Sequence, residues 1–277
     1  MKNTCELVKK VEDLIRSAAV PRWLHHFGPK TYETWQHIIV LLVKTECQLG
    51  YRRAVRLLRS LGMIVPSYSA IAKFVSRHRF LLWQHLFAAT TPRASVRVAA
   101  IDSTGLSRTN PSYHYLKRID RDGPVGKPVK LSMIVDTKTK KILAARVRAL
   151  GAHDVRDVDY LVKRLPAQVE ILLGDKGYDS EKVHLTCKKK GIRAIIPART
   201  RCRKGRHRKK MRDNFPQKIY NNRPIIETVN SALKRLYGGS VRCHKAHTQR
   251  AEIFLRLIQY NLFAWLTRDF QRSHWTH

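Results

Sequence analysis

The chain has 277 residues, with 55 Lys+Arg against 20 Asp+Glu, a formal charge of +35 and 43% hydrophobic residues. That apolar share excludes a wholly disordered chain and supplies core for one large domain plus a small one. So one-sided a charge repels itself unless a polyanion neutralises it, so DNA or RNA is the expected partner and an anionic membrane surface the alternative.

Residues 1 to about 92 read as a small all-α domain. VKKVEDLIRSA is an amphipathic start. TYETWQHIIVLLVKTECQL follows with apolar residues at helical spacing and Thr31 and Thr34 as cap candidates. YRRAVRLLRSLG sets Ala54, Val55, Leu57, Leu58 and Leu61 against an arginine face, with Gly62 as its C-cap. In PSYSAIAKFVSRHRF, Ser67 or Ser69 can cap, and Ile71, Phe74 and Val75 form the apolar stripe. Two short helices around a glycine turn suggest a helix-turn-helix whose second helix would enter a major groove. A basic helical bundle with solvated arginines is the plainer alternative.

TTPRAS near residue 92 reads as a linker, and the period then changes. VRVAAID is apolar on both faces, as a central strand requires. Thr104 to Lys130, rich in Gly, Pro and charge, reads as loop or edge. KLSMIVDTKTKKILAARVRAL is a hairpin signal around Asp136–Lys140. HDVRDVDYLVKRL is a predicted helix, VEILLGD a buried strand, SEKVHLTCKKKG a helix closed by Gly191, and IRAIIPA a strand. This order describes a mixed α/β sheet with helices on its faces. RTRCRKGRHRKKMRDNFPQK, residues 199–218, is too basic to bury itself and reads as a loop, solvated or ordering on phosphate; its Arg206, Arg208, Lys209 and Lys210 are candidate nucleic-acid contacts. From Pro224 the chain returns to helix, and RAEIFLRLIQYNLFAWLTRDF is expected to pack on the sheet. The domains expected are therefore 1–92, helical, and 93–277, carrying the sheet.

Three acids stand out. Asp102 and Asp175 each end an apolar run, in VRVAAIDSTG and VEILLGDKGYD. Carboxylates leaving the ends of neighbouring strands enter the crevice where α/β sheets bind ligands. There they repel each other unless a cation lies between them, and Mg²⁺ favours oxygen ligands. Pro224 at the first helical position puts Glu227 in the first turn. Lys234 lies two turns on, ~10 Å along the same face. Arg223 and Tyr220 can add donors to phosphate oxygens. Two carboxylate-held metals about 3.5–4 Å apart can perform in-line displacement at phosphorus without a covalent protein intermediate.

Tyr220, Arg223, Glu227 and Lys234 in YNNRPIIETVNSALK give the spacing Y-x2-R-x3-E-x6-K. This resembles the YREK signature of insertion-sequence DDE transposases (IS-four/IS-five type). GDKGYD resembles their second-aspartate motif and AIDSTGL their first, over residues 97 to about 265. The resemblance implies a ribonuclease-H-like catalytic domain with Asp102, Asp175 and Glu227 as metal ligands and catalytic triad. Tyr220, Arg223 and Lys234 would contact element-end DNA near the scissile phosphate. It implies an enzyme that binds element ends, cleaves them and joins 3′-hydroxyls to target DNA. Two Mg²⁺ ions would serve it, with Mn²⁺ as the substitute. A homodimer or larger assembly on DNA is expected, in the cytoplasm with the nucleoid and away from membranes. No apolar run reaches the ~18 residues of a spanning helix and no signal peptide opens the chain. A structure-selective metal-dependent nuclease, an inactive DNA-binding descendant and a basic RNA-associated protein are the rivals.

Other candidates are plainer. Asp154, Asp157 and Asp159 read as solvated or capping, and Asp179 as the cap of the helix from Ser180. Cys202, His207, Cys243, His244 and His247 fit no standard zinc finger. The five scattered cysteines, with Cys5, Cys47 and Cys187 completing the set, suggest free thiols. The tryptophans read as core or interface, and His114 and Tyr115 as possible DNA neighbours.

Overall fold

The computed structural model describes residues 6–24, 27, 29–78, 80–92, 94–108, 117–118, 127–165, 168–200 and 202–273, with side chains up to 262. His114 and Tyr115, and the side chains of Trp265 and Trp275, lie outside the described residues. The chain forms two compact units, Met1–Thr90 with Cys243–His277, and Thr91–Arg242. Among the described residues no helix is long and apolar enough to cross a membrane.

The first unit is helical: α1 (Glu6–Ser17), α2 (Thr34–Glu46), α3 (Tyr51–Ser60), α4 (Tyr68–Arg77), α5 (Phe80–Ala89) and α11 (Ala246–Ser273). α2 starts under neither threonine expected. Glu33 is its N-cap, paired with Gln36 in a reciprocal capping box. The C-cap of α3 is Leu61 rather than Gly62, which follows it with a φ of +77°, the left-handed conformation that favours glycine. Ser67 then caps α4 by accepting from Ala70 N at 3.2 Å. The connection, residues 61–67, is longer than the 3–4-residue turn of a helix-turn-helix.

The expectation that the last apolar helix packs on the sheet is corrected. α11 packs with α5, α2 and α4. Ala251–Asn261 is buried all round, and the Phe254 ring meets Phe80 at 5.3 Å and Phe87 at 5.6 Å. A stretch buried on every side needs partners on every side, which helices supply and one sheet face does not; its charged pair, Glu252 and Arg256, satisfies itself at 2.6 Å.

The second unit is a mixed sheet of β1 (Val96–Arg108), β2 (Val129–Asp136), β3 (Ile142–Arg148), β4 (Val169–Leu173) and β5 (Arg193–Ile195), in the order β3-β2-β1-β4-β5. β1, β2 and β3 pair antiparallel, while β4 and β5 run parallel to β1. A short β6 (Ser240–Val241) pairs with the far end of β1. β1 runs on to Arg108, past the loop expected from Thr104. Helices α6 (Val155–Lys163) and α7 (Glu181–Lys189) cover one face and bury Ile101, Ile134, Val158, Leu161, Val183 and Cys187 together. Side chains alternate along a strand, so Asp102 points to the other face. There α10 (Ile225–Tyr237) packs on β1 and β2.

The basic run does not form the loop expected. It contains α8 (Arg206–Asp213) and α9 (Gln217–Tyr220). Glu181 accepts from His207 N at 3.2 Å, Arg208 N at 3.3 Å and His207 Nδ1 at 2.7 Å. Both oxygens of Asp179 take Arg208 at 2.7 Å. Two acids at the start of α7 thus neutralise the N-terminus of α8 and anchor it. Met211 of this helix and Cys202 ahead of it are buried. The described cysteines are free thiols.

Candidate active site

β1 and β4 pair as Val96↔Val169, Val98↔Ile171, Ala99↔Leu172 and Ala100↔Leu173, where β4 ends. Asp102 and Asp175 each lie two residues beyond the last pair, so the same register places them side by side. Asp102 is not at a strand end as expected. It is mid-strand, opposite Met133 of β2, at the point where β1 loses its partner on the other edge. Asp175 caps a 3-10 turn, Lys176–Tyr178, by accepting from Gly177 N at 2.9 Å.

Two glycines allow this approach. A Cβ on Gly174 would sit 3.2 Å from Ile101 Cγ2 and 3.3 Å from Ile196 Cγ1, and one on Gly177 would sit 3.0 Å from Asp175 Oδ1. A side chain at Gly174 would press on β1 through Ile101, and one at Gly177 would crowd the Asp175 carboxylate.

Glu227 comes from the first turn of α10, with Pro224 as its N-cap rather than its first residue. Arg223 gathers the three acids. Its Nη2 is 3.9 Å from Asp102 Oδ1 and 4.0 Å from Asp175 Oδ2, and its Nη1 meets the Glu227 carboxylate. The two aspartate oxygens can therefore be no farther apart than the sum of those two distances. Asp102 is the floor, its side chain 19% exposed, and Asp175 and Glu227 are the rim at 43% and 55%.

Burial pushes the Asp102 carboxyl above its ordinary value, and the charges of Asp175 and Glu227 add to this. The Ser103 N–H and Arg223 oppose it. Burial likewise raises the Tyr220 phenol, with Asp175 and Glu227 contributing and Arg223 opposing. Tyr220 thus lies within electrostatic reach of the acids, its ring edge-on to Phe215 at 4.9 Å.

Of the other expected contacts, Arg206, Lys209, Lys210 and Lys234 are exposed. Arg208 differs, because its guanidinium is engaged by Asp179. Asp179 is correspondingly not the α7 cap, and it also accepts from Arg199 N at 2.9 Å. Burial works against its charged form, but Arg208 and the Arg199 N–H outweigh that and hold it below the usual carboxylate range.

Two buried polar contacts lay outside the sequence expectations. Asn230, one turn after Glu227 on α10, donates to Asp102 Oδ2 at 2.9 Å. Asp157, expected to be solvated, is wholly buried and takes Arg148 Nε at 2.6 Å and Ser132 Oγ at 2.7 Å. The i+3 spacing of Glu227 and Asn230 is a signal that could have found the first.

Carboxylates from β1, the turn after β4 and a following helix converge beside a mixed sheet, and the class of fold is ribonuclease-H-like. Residues 94–262 match the family described as transposase DDE domain, and the chain belongs to that family. It is a metal-dependent DNA transposase. The fold is similar to that of a piggyBac transposase solved as a synaptic complex with hairpin DNA, at 14% identity and TM-score 0.52 over 98% of this chain and 74% of that one. Looser likenesses are the Drosophila P element transposase strand transfer complex, at 10% identity and TM-score 0.38 over 91% and 70%, and the catalytic core of BIV integrase, at 14% and 0.35 over 64% and 99%.

The donor chemistry fits a divalent cation that takes oxygen ligands, because three carboxylates address one positive group. Among the described residues, no three His, Cys, Asp or Glu side chains are drawn together closely enough to hold a metal ion. In the triad Arg223 stands among the acids, where it offsets their mutual repulsion.

Proposed function

We propose that Asp102, Asp175 and Glu227 are the catalytic acids, that they hold Mg²⁺, and that the enzyme belongs to the YREK subtype. The observation that carries this is the convergence of the three acids on Arg223. Bound there, the cations would activate the attacking water or 3′-hydroxyl and stabilise the leaving oxygen; Mn²⁺ would substitute. Asp102 is the deepest and forms the fixed floor, tied by Asn230. Glu227 and Asp175, more exposed, would supply the remaining carboxylates to the cations.

Arg223 then turns its fork to a phosphate oxygen, for which a planar guanidinium is suited. Tyr220 lies on the approach to the acids. Lys234, seven residues after Glu227 on the same face of α10, sits ~10 Å farther along and takes a neighbouring phosphate. Arg206, Lys209 and Lys210 on α8 contact the backbone of the same DNA. Arg208 is the anchor of that helix.

The helical unit binds the element ends. The exposed face of α4, with Ser69, Lys73, Ser76 and Arg77, is the surface that enters a groove. Joining two ends to one target requires two active sites, so the working form is a homodimer or larger assembly on DNA.

The test is a strand-transfer assay with Mg²⁺ on element-end duplexes. Asp102→Ala, Asp175→Ala and Glu227→Ala should each abolish cleavage and joining while still binding the duplex. Any of the three retaining wild-type activity removes that residue from the site.

A further inference from the structure

Three hydroxyls and a carboxylate form an unbroken file beneath the acids, on the sheet face away from α10. Tyr178 Oη lies 3.0 Å from Ser103 Oγ, Ser103 Oγ donates to Ser132 Oγ at 2.9 Å, and Ser132 Oγ donates to Asp157 Oδ2 at 2.7 Å. The directions are forced. Asp157 faces Arg148 Nε at 2.6 Å, Arg146 Nη1 at 3.3 Å and Lys130 Nζ at 3.5 Å, so its carboxylate only accepts. Ser132 gives its one proton to Asp157, and Ser103 gives its own to Ser132. The proton between Tyr178 and Ser103 is therefore that of Tyr178. Every hydroxyl donates once, in one direction. Ser132 and Asp157 are wholly buried and Tyr178 is 1% exposed, while Ser103 between them is half-buried, so the Ser132–Asp157 bond is the one closed to water.

The file joins the two aspartate motifs from below. Ser103 follows Asp102, and its backbone N–H faces the Asp102 carboxylate. Tyr178 ends the turn that Asp175 begins, its own N–H on Asp175 O at 3.1 Å. β4 stops at Leu173, so no backbone ladder ties Asp102 to Asp175. The Tyr178–Ser103 bond bridges that gap, and the cross-strand pair Ser103↔Ser132 carries it into β2.

We propose that Tyr178, Ser103, Ser132 and Asp157 are positioning residues: a polarised hydrogen-bonded brace that sets the separation of the Asp102 and Asp175 carboxylates and so tunes the divalent-cation affinity of the site. This rests on the reading of those aspartates as cation ligands.

The test is Mn²⁺ binding to the full chain, followed by the paramagnetic resonance of the free ion, beside thermal melting. Tyr178→Phe removes one oxygen atom and keeps the ring, and Ser103→Ala removes the middle hydroxyl. Each should weaken Mn²⁺ binding by about tenfold or less, since partners directly on a ligand cost 10–100-fold and the brace acts one bond farther out. The double variant should bind no worse than the weaker single one, because both break the same file. Ser103→Thr should restore affinity. Thr139→Ala removes a comparable hydroxyl-to-carboxylate bond, onto Asp136 in the β2–β3 turn, and should cost stability without moving Mn²⁺ affinity. If Tyr178→Phe and Ser103→Ala bind Mn²⁺ as wild type while Asp102→Asn does not, the brace is wrong and the cation site stands. If Asp102→Asn also binds as wild type, the site reading itself fails. Should Ser103→Ala not fold, Tyr178→Phe decides alone.

Discussion

Asp102 is the most constrained acid of the site, and its protonation gives the sharpest test at the residue scale. Burial, aided by Asp175 and Glu227, raises its pKa above the ordinary aspartate value. A raised carboxyl favours the fold in its neutral form, so its contribution to stability is present below the unfolded value and is lost as pH rises through the folded one. A cation reverses the preference by requiring the charged form, and protons and metal therefore compete. Mn²⁺ affinity should fall as pH is lowered through the raised value, and the Asp102→Asn variant should lose that part of the pH dependence; titrations at several pH values measure both. The convergence of the three acids was legible in sequence because each sits in a short local motif, an apolar run or a proline-led helix start, and local chemistry survives folding. Asn230 and Asp157 were not legible, since their roles depend on partners 128 and 25 residues away.

At the scale of elements, α8 shows where composition misleads. Residues 199–218 read as a run that cannot bury itself, because the neutralising acids, Asp179 and Glu181, lie on a different segment. Charge balance across space is invisible to a window moved along the chain. Gly205, with φ of +97°, lets α8 begin, and a Cβ there would collide with the Glu181 carboxylate that holds the helix. Gly205→Ala should cost about 1 kcal/mol or more from the backbone conformation alone. It should also release α8, seen as faster tryptic cleavage between 206 and 213. Arg208→Gln should do the same. Lys209→Gln and Lys210→Gln should leave cleavage by trypsin elsewhere in α8 unchanged, and should each lower the slope of log K for DNA against log salt by about 0.9. The strands and helices of the sheet unit were largely readable from periodicity. The partner of α11 was not: an apolar-rich run says that a helix is buried, never against what.

Across the whole molecule, the matched family segment, 94–262, does not coincide with one compact unit, since it ends inside α11. The last helix completes the helical unit rather than the catalytic one. Phe254→Ala should therefore destabilise that unit by ~3–5 kcal/mol, read as an earlier melting step in calorimetry, while Mn²⁺ binding to the sheet unit persists. A charge of +35 ensures strong, salt-sensitive binding to any nucleic acid, so binding alone says little about catalysis. The account stands on three acids sharing cations. The most direct measurement is anomalous diffraction from a crystal grown with Mn²⁺ and an element-end duplex. It should show manganese within bonding distance of Asp102, Asp175 and Glu227, with Arg223 turned to a phosphate. Manganese bound only elsewhere, with Arg223 still among the three carboxylates, would contradict it.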